Sequence, residues 1–242
     1  MVDEEKIIHQ QENNCLDTFI GQRNFVETLK VSINAANMRG DYLPHILLIG
    51  PRGCGKSTLA KAISKEIGAG MQVLSLNALR EPADLPPILT RISDGDVLLI
   101  ENFDSIKPTQ ADVLTTAMDS FFVDVVLGRG AYARNIRIDL PRFTVIATMD
   151  VEKKIPSKIR ACFPLYWHME DYSVEELREL AIRFADDLGT RITSEATEHI
   201  AIKSNGSYRK LTNVLKRARD FATIKGDGTI DVEILDQTLT II

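Results

Sequence analysis

A glycine-rich stretch of nine residues is the part of the sequence whose residue types and spacing best suit chemistry. It fits the pattern G-x-x-x-x-G-K-[ST], in which glycines let backbone N–H groups surround phosphate oxygens that side chains would otherwise block. In this pattern Lys56 neutralises the outer phosphates, and the Ser57 hydroxyl is placed to bind Mg²⁺. We therefore predict that the chain binds a nucleoside triphosphate, ATP, together with Mg²⁺. The predicted phosphate-loop residues are Gly50, Pro51, Arg52, Gly53, Cys54, Gly55, Lys56, Ser57 and Thr58.

A second chemical element follows an apolar run later in the chain. The run Asp-Val-Leu-Leu-Ile leads directly to Glu101 and Asn102. A carboxylate at the end of such a strand can hold the water shell of magnesium, so we predict that Glu101 binds the metal together with Ser57. We predict that Glu101 and Asn102 are both catalytic. Asn102 can orient an attacking water, but an amide cannot accept its proton at neutral pH. Asp104 or Asp150 is left open as a substitute base.

Short apolar runs and amphipathic stretches alternate around these residues. Four runs, at residues 46–49, 72–76, 97–100 and 143–147, are typical of strands in a parallel sheet that helices cover. The phosphate loop directly follows the first run and precedes a helical pattern at residues 57–67. This is the strand–loop–helix order that phosphate binding requires. The alternation predicts an α/β fold with a parallel sheet.

Two later segments depart from that alternation. Residues 122–141 contain two alternating, strand-like runs joined by a glycine-containing segment, which predicts a β-hairpin outside the βαβ pattern. Further on the strand signal disappears and helical patterns follow, the first of them opened by a capping box at Ser173. We therefore predict a large ATP-binding domain at residues 1–171, which includes the hairpin, and a small all-helical domain at residues 172–242.

Composition limits the class of protein. Apolar residues make up 44% and charged residues 26% of the 242 residues, which excludes intrinsic disorder for the body of the chain. The net charge of −5 excludes DNA binding through bulk charge, so contact with DNA is expected to be weak or indirect. Cys15, Cys54 and Cys162 form no CxxC pair, which fits a reducing compartment. No apolar run approaches the ~20 residues of a membrane helix, and we predict a cytoplasmic protein.

The order and spacing of these elements resemble the RuvB family of AAA+ motors, which drive Holliday junction branch migration. Besides the phosphate loop, the likeness covers Phe-Ile-Gly-Gln at residues 19–22, Leu-Gly-Arg-Gly-Ala-Tyr-Ala-Arg at residues 127–134 and Lys-Arg-Ala-Arg-Asp-Phe-Ala at residues 216–222. It extends from about residue 16 to the end of the chain. The resemblance implies an AAA+ P-loop domain with an inserted β-hairpin, a helical lid domain, and a role in DNA recombination and repair.

The resemblance also implies roles for residues outside the phosphate loop. Phe19, Ile20 and Tyr172 match positions that contact the adenine side of the nucleotide. Arg209 matches the lid arginine that touches the γ-phosphate, and an arginine is chemically suited to reporting that phosphate. The hairpin at residues 122–141 is expected to dock a RuvA-like junction-binding protein. A ring of identical or different subunits is the expected assembly.

Several positions depart from the family pattern. Asn102 replaces the water-activating glutamate, Met149 stands at the sensor-1 threonine, Cys162 replaces the trans-acting arginine finger, and residues 12–13 replace an Arg–Pro pair. The winged-helix DNA-binding domain of the family is also missing from these 242 residues. These departures favour an alternative, in which ATP acts as a switch in an assembly subunit with impaired hydrolysis. A clamp-loader-like or transposition-associated AAA+ subunit is a third possibility.

Overall fold

A computed structural model of the chain describes residues 16–79, 81–127, 134–152 and 155–240. These residues form two compact units. The sheet unit comprises the described parts of residues 24–50 and 56–168, and the lid unit comprises those of residues 1–23, 51–55 and 169–242. The predictions for residues 12–13, Cys15 and the hairpin tip at residues 128–133 lie outside the described residues.

Apart from the two strands of a β-hairpin, helices and strands alternate along the sheet unit, as the sequence predicts. In chain order they are α1 (Arg23–Arg39), β1 (Ile46–Ile49), α2 (Lys56–Glu66), β2 (Met71–Ser75), α3 (Pro86–Leu89), β3 (Val97–Glu101), α4 (Pro108–Ser120), β4 (Phe122–Leu127), β5 (Arg134–Asp139), β6 (Thr144–Met149), α5 (Ser157–Ala161) and β7 (Leu165–His168).

Five of these strands form one parallel sheet in the order β2-β3-β6-β1-β7. Every residue of β1 and β6 is buried, because helices and neighbouring strands exclude water from both faces of the sheet centre. The register places Ile146 of β6 opposite Ile46 of β1 on one side and Leu99 of β3 on the other. The predicted parallel α/β fold is therefore confirmed.

The sequence prediction contains four strands of this sheet and misses the fifth, β7. This strand lies at the edge of the sheet, pairs with β1, and alternates between half-buried and exposed residues. Its four residues are Leu-Tyr-Trp-His, so it lacks the continuous apolar run that marks a central strand. Trp167 in β7 stacks on Phe25 of α1 with ring centroids 5.0 Å apart.

The predicted hairpin is formed by β4 and β5, which pair antiparallel. Val123 lies opposite Ile138 and Val125 opposite Ile136, so these four side chains share one face of the ribbon. Val123 is buried in the hydrophobic core of the sheet unit, whereas all residues of β5 are exposed. Strand β4 of the ribbon therefore packs against the sheet unit through Val123, and strand β5 is exposed to solvent.

The lid unit is helical, with one addition that the sequence does not predict. Residues Arg191–Ile192 (β8) and Thr229–Ile230 (β9) pair in parallel, and the Thr193 backbone N–H donates to the Ile230 carbonyl. A pairing of two residues is too short to produce a sequence pattern. The lid helices are α6 (Val174–Asp187), α7 (Ser194–Ser204), α8 (Tyr208–Lys225) and α9 (Val232–Leu239).

The predicted capping box at the start of α6 is present. The Glu176 backbone N–H donates to the Ser173 hydroxyl oxygen at 3.2 Å, and the Ser173 backbone N–H donates to the Glu176 carboxylate at 2.8 Å. Together these bonds satisfy two backbone donors that a helix start leaves open. Among the helices of the described residues, none is both long enough and apolar enough to cross a membrane.

His45, which precedes β1, is a buried histidine with a structural role. Its Nδ1 accepts a hydrogen bond from the Val145 backbone N–H at 2.9 Å, and its Nε2 lies 3.3 Å from the Met118 carbonyl oxygen. A carbonyl can only accept, so Nε2 carries the proton and the ring is neutral. Burial lowers the pKa of His45 from 6.5 to about 4, against the opposing effects of the Met118 carbonyl and the Asp119 carboxylate.

We predict an acid-labile contribution of His45 to stability. The pKa of His45 is lower in the folded chain, so its contribution is complete above pH 6.5 and is lost as the pH falls towards about 4. The loss in the free energy of unfolding should reach about 3 kcal/mol. Urea denaturation at a series of pH values measures it. His45→Gln, which does not titrate, should flatten the decline, whereas the control His168→Gln, at a side chain that is 49% exposed, should not. Equal pH dependence in wild type and His45→Gln would contradict the assignment.

Candidate functional site

Three chain segments meet at the carboxyl edge of the sheet. Gly50 follows β1, Glu101 ends β3, and Asp150 follows β6, and these three strands are neighbours in the sheet. The Gly50 backbone N–H donates to the Met149 carbonyl at 3.1 Å, which ties the start of the phosphate loop to the end of β6. Ligands of open α/β sheets bind at this edge, beyond the carboxyl ends of the strands.

Lys56 donates hydrogen bonds to Gly50 and Asp150 at this edge. Its Nζ donates to the Gly50 carbonyl oxygen at 2.6 Å and to Asp150 Oδ1 at 3.2 Å. The lysine side chain is only 10% exposed and the aspartate side chain 29%. The ammonium group therefore sits in a partly buried ion pair, where a charge interacts more strongly than at a fully exposed surface.

Ser57 and Glu101 are also brought together in the sheet unit. The Ser57 hydroxyl donates to Glu101 Oε1 at 2.7 Å. Hydroxyl and carboxylate oxygens are ligands that suit Mg²⁺, which typically takes one or two protein ligands besides phosphate oxygens and waters. The described residues contain no group of three or more His, Cys, Asp or Glu side chains that could hold a metal alone. The donor set thus fits a magnesium ion carried by a nucleotide.

Asn102 adopts a left-handed backbone conformation directly after β3. Its φ is 55° and its ψ 46°, and its carbonyl accepts from the Ser105 backbone N–H at 2.9 Å and the Ser105 hydroxyl at 2.8 Å. Asparagine tolerates this region better than most side chains. The local backbone therefore provides a reason for an asparagine here that is independent of water activation.

Two consecutive residues at the end of β6 have different surroundings. Met149, placed there at the sensor-1 position, is 1% exposed and belongs to the hydrophobic core of the sheet unit. Asp150 is the first residue beyond the strand, and its carboxylate contacts Lys56. Asp150 is thus the residue of this pair that contacts Lys56. Sequence spacing alone does not distinguish the two, because the last core position and the first loop position are consecutive.

Cys162 is a buried thiol just after α5. Its Sγ lies 3.5 Å from the Lys158 carbonyl oxygen. Burial, with a smaller effect of Asp119, raises the pKa of Cys162 to about 12. The group is therefore neutral at physiological pH and supplies no positive charge. The neighbouring Arg160 places its guanidinium carbon 4.2 Å from the ring centre of Tyr166.

Within the lid unit, the middle of the phosphate loop packs closely against two lid residues. Gly53 has φ +92°, and a Cβ there would lie 2.6 Å from Ser207 Oγ and 2.8 Å from Arg209 Cβ. Gly55 has φ +94°, and a Cβ there would lie 2.6 Å from the Tyr172 hydroxyl oxygen. Both backbone conformation and space therefore require glycine. Ser207 forms the N-cap of α8, and its place beside the loop is not predicted from the sequence.

The residues predicted to contact adenine lie in the same unit. A Cβ at Gly55 would lie 3.7 Å from Phe19 Cζ, and Tyr172 is 6% exposed. Burial raises the pKa of Tyr172 well above its ordinary value, so the phenol stays protonated. Ile20 follows Phe19 and is half-buried. The lid unit thus assembles Phe19, Tyr172 and Arg209 around the loop glycines.

The remaining phosphate-loop residues differ in exposure. Pro51 and Arg52 are exposed, Cys54 is buried, and Thr58 in the first turn of α2 is half-buried. The Cys54 backbone N–H donates to the Pro51 carbonyl at 3.4 Å. This bond joins residues three positions apart and so closes a turn within the loop.

Family models match nearly the whole chain. Residues 12–175 match the model described as "Holliday junction DNA helicase RuvB P-loop domain", and residues 172–242 match the "RuvB AAA lid domain". The Holliday junction branch migration complex subunit RuvB of Streptococcus agalactiae is 37% identical over 242 residues, which is all of this chain and 73% of the relative. The corresponding subunit of Lactococcus lactis is 38% identical over 93% of this chain and 67% of its own length.

Solved structures of other proteins are also similar to this chain. The Thermotoga maritima RuvB Holliday junction branch migration motor superposes with a TM-score of 0.82 at 32% identity, covering 94% of this chain and 72% of that one. NtrX of Brucella abortus in complex with ATP has a TM-score of 0.68 at 12% identity, covering 89% of this chain and 53% of that one. The second likeness shows the fold alone.

We predict that Gly53→Ala destabilises the chain far more than a glycine substitution in open space. Gly189 is the matched control in the lid unit, since its φ is +66° and nothing lies within 4 Å of an added Cβ. The control should lose about 1 kcal/mol of unfolding free energy from backbone strain, and Gly53→Ala about 3 kcal/mol because contact strain is added. Urea denaturation followed by circular dichroism compares them. Equal losses would show that Ser207 and Arg209 do not confine the loop.

Proposed function

The chain belongs to the RuvB family of AAA+ ATPases, and on this basis we propose that it is a motor subunit of Holliday junction branch migration in DNA recombination and repair. The observation that carries the proposal is the arrangement of Lys56, Ser57 and Glu101 at the carboxyl edge of the sheet. Residues 1–171 act as the ATP-binding domain and residues 172–242 as its lid, in the cytoplasm.

In this proposal the phosphate loop, Gly50 to Thr58, binds the triphosphate of ATP. Lys56 directs its ammonium towards the outer phosphates, and Ser57 and Glu101 hold the magnesium ion. When bound, the ion neutralises charge on the phosphates and aligns them. Phe19, Ile20 and Tyr172 contact the adenine side of the nucleotide.

Hydrolysis depends on three further positions. Asn102 orients the attacking water without accepting its proton. Asp150 or Asp104 is the candidate base, and Arg209 contacts the γ-phosphate through a charge-assisted hydrogen bond. The role of Arg209 follows the family resemblance, whereas those of Asn102, Asp104 and Asp150 are proposed because the chain departs from the family pattern.

A second candidate function is favoured by the neutral, buried thiol of Cys162. An arginine finger supplied in trans is worth on the order of 10³–10⁵ in rate, and this thiol cannot replace its charge. In that case the chain holds ATP for long periods and acts as a nucleotide-dependent assembly subunit. The two candidates share every binding residue and differ only in turnover.

The proposed partner is a RuvA-type junction-binding protein, docked on the hairpin. Ile136 and Ile138 of β5 are 43% and 37% exposed, while Val123, which lies opposite Ile138, is buried. Branched apolar side chains in a row at an open strand are suited to packing against another protein. Contact with DNA is then mostly indirect, and subunits assemble into a ring.

We predict that ATP with Mg²⁺ stabilises the chain and that Lys56→Ala removes the effect. A ligand at 100 times its dissociation constant adds about 2.7 kcal/mol to the folded state, which raises the melting temperature. The control is Lys61→Ala, an exposed lysine of the same helix, which should retain the shift. Differential scanning fluorimetry with and without ATP measures both. A full shift in Lys56→Ala would exclude the phosphate loop as the site.

Steady-state ATP hydrolysis, with and without junction DNA and RuvA, separates the two candidates. A motor shows turnover that the DNA complex stimulates. The assembly subunit shows turnover lower by at least about 10², because both water activation and the trans charge are altered, while ATP still raises the melting temperature.

We predict that Ile136→Asp weakens binding of a purified RuvA by at least about tenfold, because a buried carboxylate replaces an apolar contact. The control is Val31→Asp in α1, which introduces the same charge at a side chain that is 69% exposed. Isothermal titration calorimetry compares the three proteins. Unchanged affinity in Ile136→Asp would argue that the partner binds elsewhere.

A further inference from the structure

We propose that Arg183 and Gln22 are positioning residues for the base of the nucleotide, because they fix the chain segment that carries Phe19 and Ile20. The inference rests on the proposed ATP-binding function, in which Phe19 and Ile20 contact the adenine side. It adds to that function two residues of the lid unit that act through this segment, without touching the nucleotide themselves.

Arg183 ties the segment to helix α6. Its guanidinium Nη1 donates to the Thr18 backbone carbonyl at 2.6 Å, across 165 positions of the chain. The donor carries a positive charge, and such charge-assisted bonds are shorter and stronger than neutral ones. Nη2 of the same guanidinium donates to Glu179 Oε1 at 3.3 Å, one helical turn earlier. Glu179 thus helps to orient the planar guanidinium towards Thr18, the residue directly before Phe19.

Gln22 holds the other end of the segment. Its side-chain Nε2 donates to the Glu170 carbonyl at 2.8 Å, and its Oε1 accepts from the Glu170 backbone N–H at 3.3 Å. The φ of Gln22 is 51°, which is uncommon for a residue other than glycine, and the preceding Gly21 has a φ of +86°. A backbone in this region persists only where the surroundings hold it. The two bonds to Glu170 do so, and the segment is therefore held on both sides of Phe19 and Ile20.

Helix α6 also supports Tyr172, the third residue proposed to contact adenine. The ring of Phe184 in α6 lies 6.3 Å from that of Tyr208, and the Tyr208 ring lies 6.3 Å from that of Tyr172. Both pairs are edge-to-face, an arrangement that aromatic rings favour. A Cβ at Gly21 would lie 2.8 Å from Tyr172 Cε1, so the segment runs directly against the Tyr172 ring. One helix therefore supports both the segment and the ring on which it packs.

This support has a consequence for nucleotide affinity. A segment that is loose in the free protein has to be ordered when the base binds, and the ordering costs conformational entropy. A segment that is already held avoids most of this cost. The phosphates, in contrast, bind to the phosphate loop, whose backbone N–H groups do not belong to the segment. Loss of either positioning residue should therefore weaken binding of the base and spare binding of the phosphates.

The test compares a non-hydrolysable ATP analogue with inorganic tripolyphosphate, which has the same phosphate chain but no base or ribose. Isothermal titration calorimetry with Mg²⁺ measures the analogue, and competition with the analogue measures tripolyphosphate. Arg183→Met should weaken binding of the analogue about tenfold and of tripolyphosphate less than about twofold. Arg183→Lys keeps a cationic donor and should recover part of the loss. Gln22→Met removes both bonds to Glu170 and should act like Arg183→Met.

The matched control is Arg178→Met. Arg178 also belongs to α6 and also pairs with a glutamate, but this glutamate is Glu198 of α7, at 3.1 Å. The control should change neither constant. Melting temperatures of the nucleotide-free proteins identify any variant that is unfolded at the assay temperature, and Gln22→Met decides the question if Arg183→Met does not fold.

A loss that is selective for the ATP analogue in Arg183→Met and Gln22→Met supports the inference. Equal losses for the two ligands, no loss, or the same loss in Arg178→Met would overturn it while leaving the proposed function intact. A wild type that binds the analogue but not tripolyphosphate would also overturn it, because base and phosphates would then not bind separately. If the wild type does not bind the analogue, the proposed function fails and this inference fails with it.

Discussion

The parallel pairing of β6 between β1 and β3 is the constraint on which the rest of the structure depends. These strands are buried on both faces, so their backbone groups find partners only in one another, and a shift in register would expose apolar side chains. The pairing brings the starts of three loops to one edge. Lys56 reaches both Gly50 and Asp150 there because the strands end at the same level.

Much of this arrangement is predictable from the sequence, for physical reasons. A continuous apolar run such as β1, followed at once by the glycines of the phosphate loop, has few alternatives as a local structure. The edge strand β7 is not predicted, because it is partly exposed and therefore lacks a continuous run of apolar residues. Whether Met149 or Asp150 contacts Lys56 depends on where β6 ends, and the ends of elements are poorly encoded in local sequence.

The contacts around Gly53 and Gly55 cannot be predicted from the local sequence, for a different reason. They join loop residues to Tyr172 and Arg209, more than a hundred positions away in the chain. Hydrophobic periodicity gives no information about such a contact. The roles of Tyr172 and Arg209 can therefore be proposed only from the resemblance to a family. The glycines themselves are predictable from phosphate chemistry. In the structure they also meet a steric requirement, since a side chain at either position would collide with a lid residue.

The stacking of Trp167 on Phe25 has a practical consequence for following the two units separately. Trp167 is the single tryptophan of the chain, and it lies in the sheet unit. Selective excitation of the indole therefore reports the environment of the sheet edge, without a contribution from any tryptophan in the lid. Far-ultraviolet circular dichroism reports helices in both units. A difference between the two signals during unfolding would reveal whether the lid unfolds independently. Trp167 thus serves as an intrinsic optical label, which the chain carries without chemical modification.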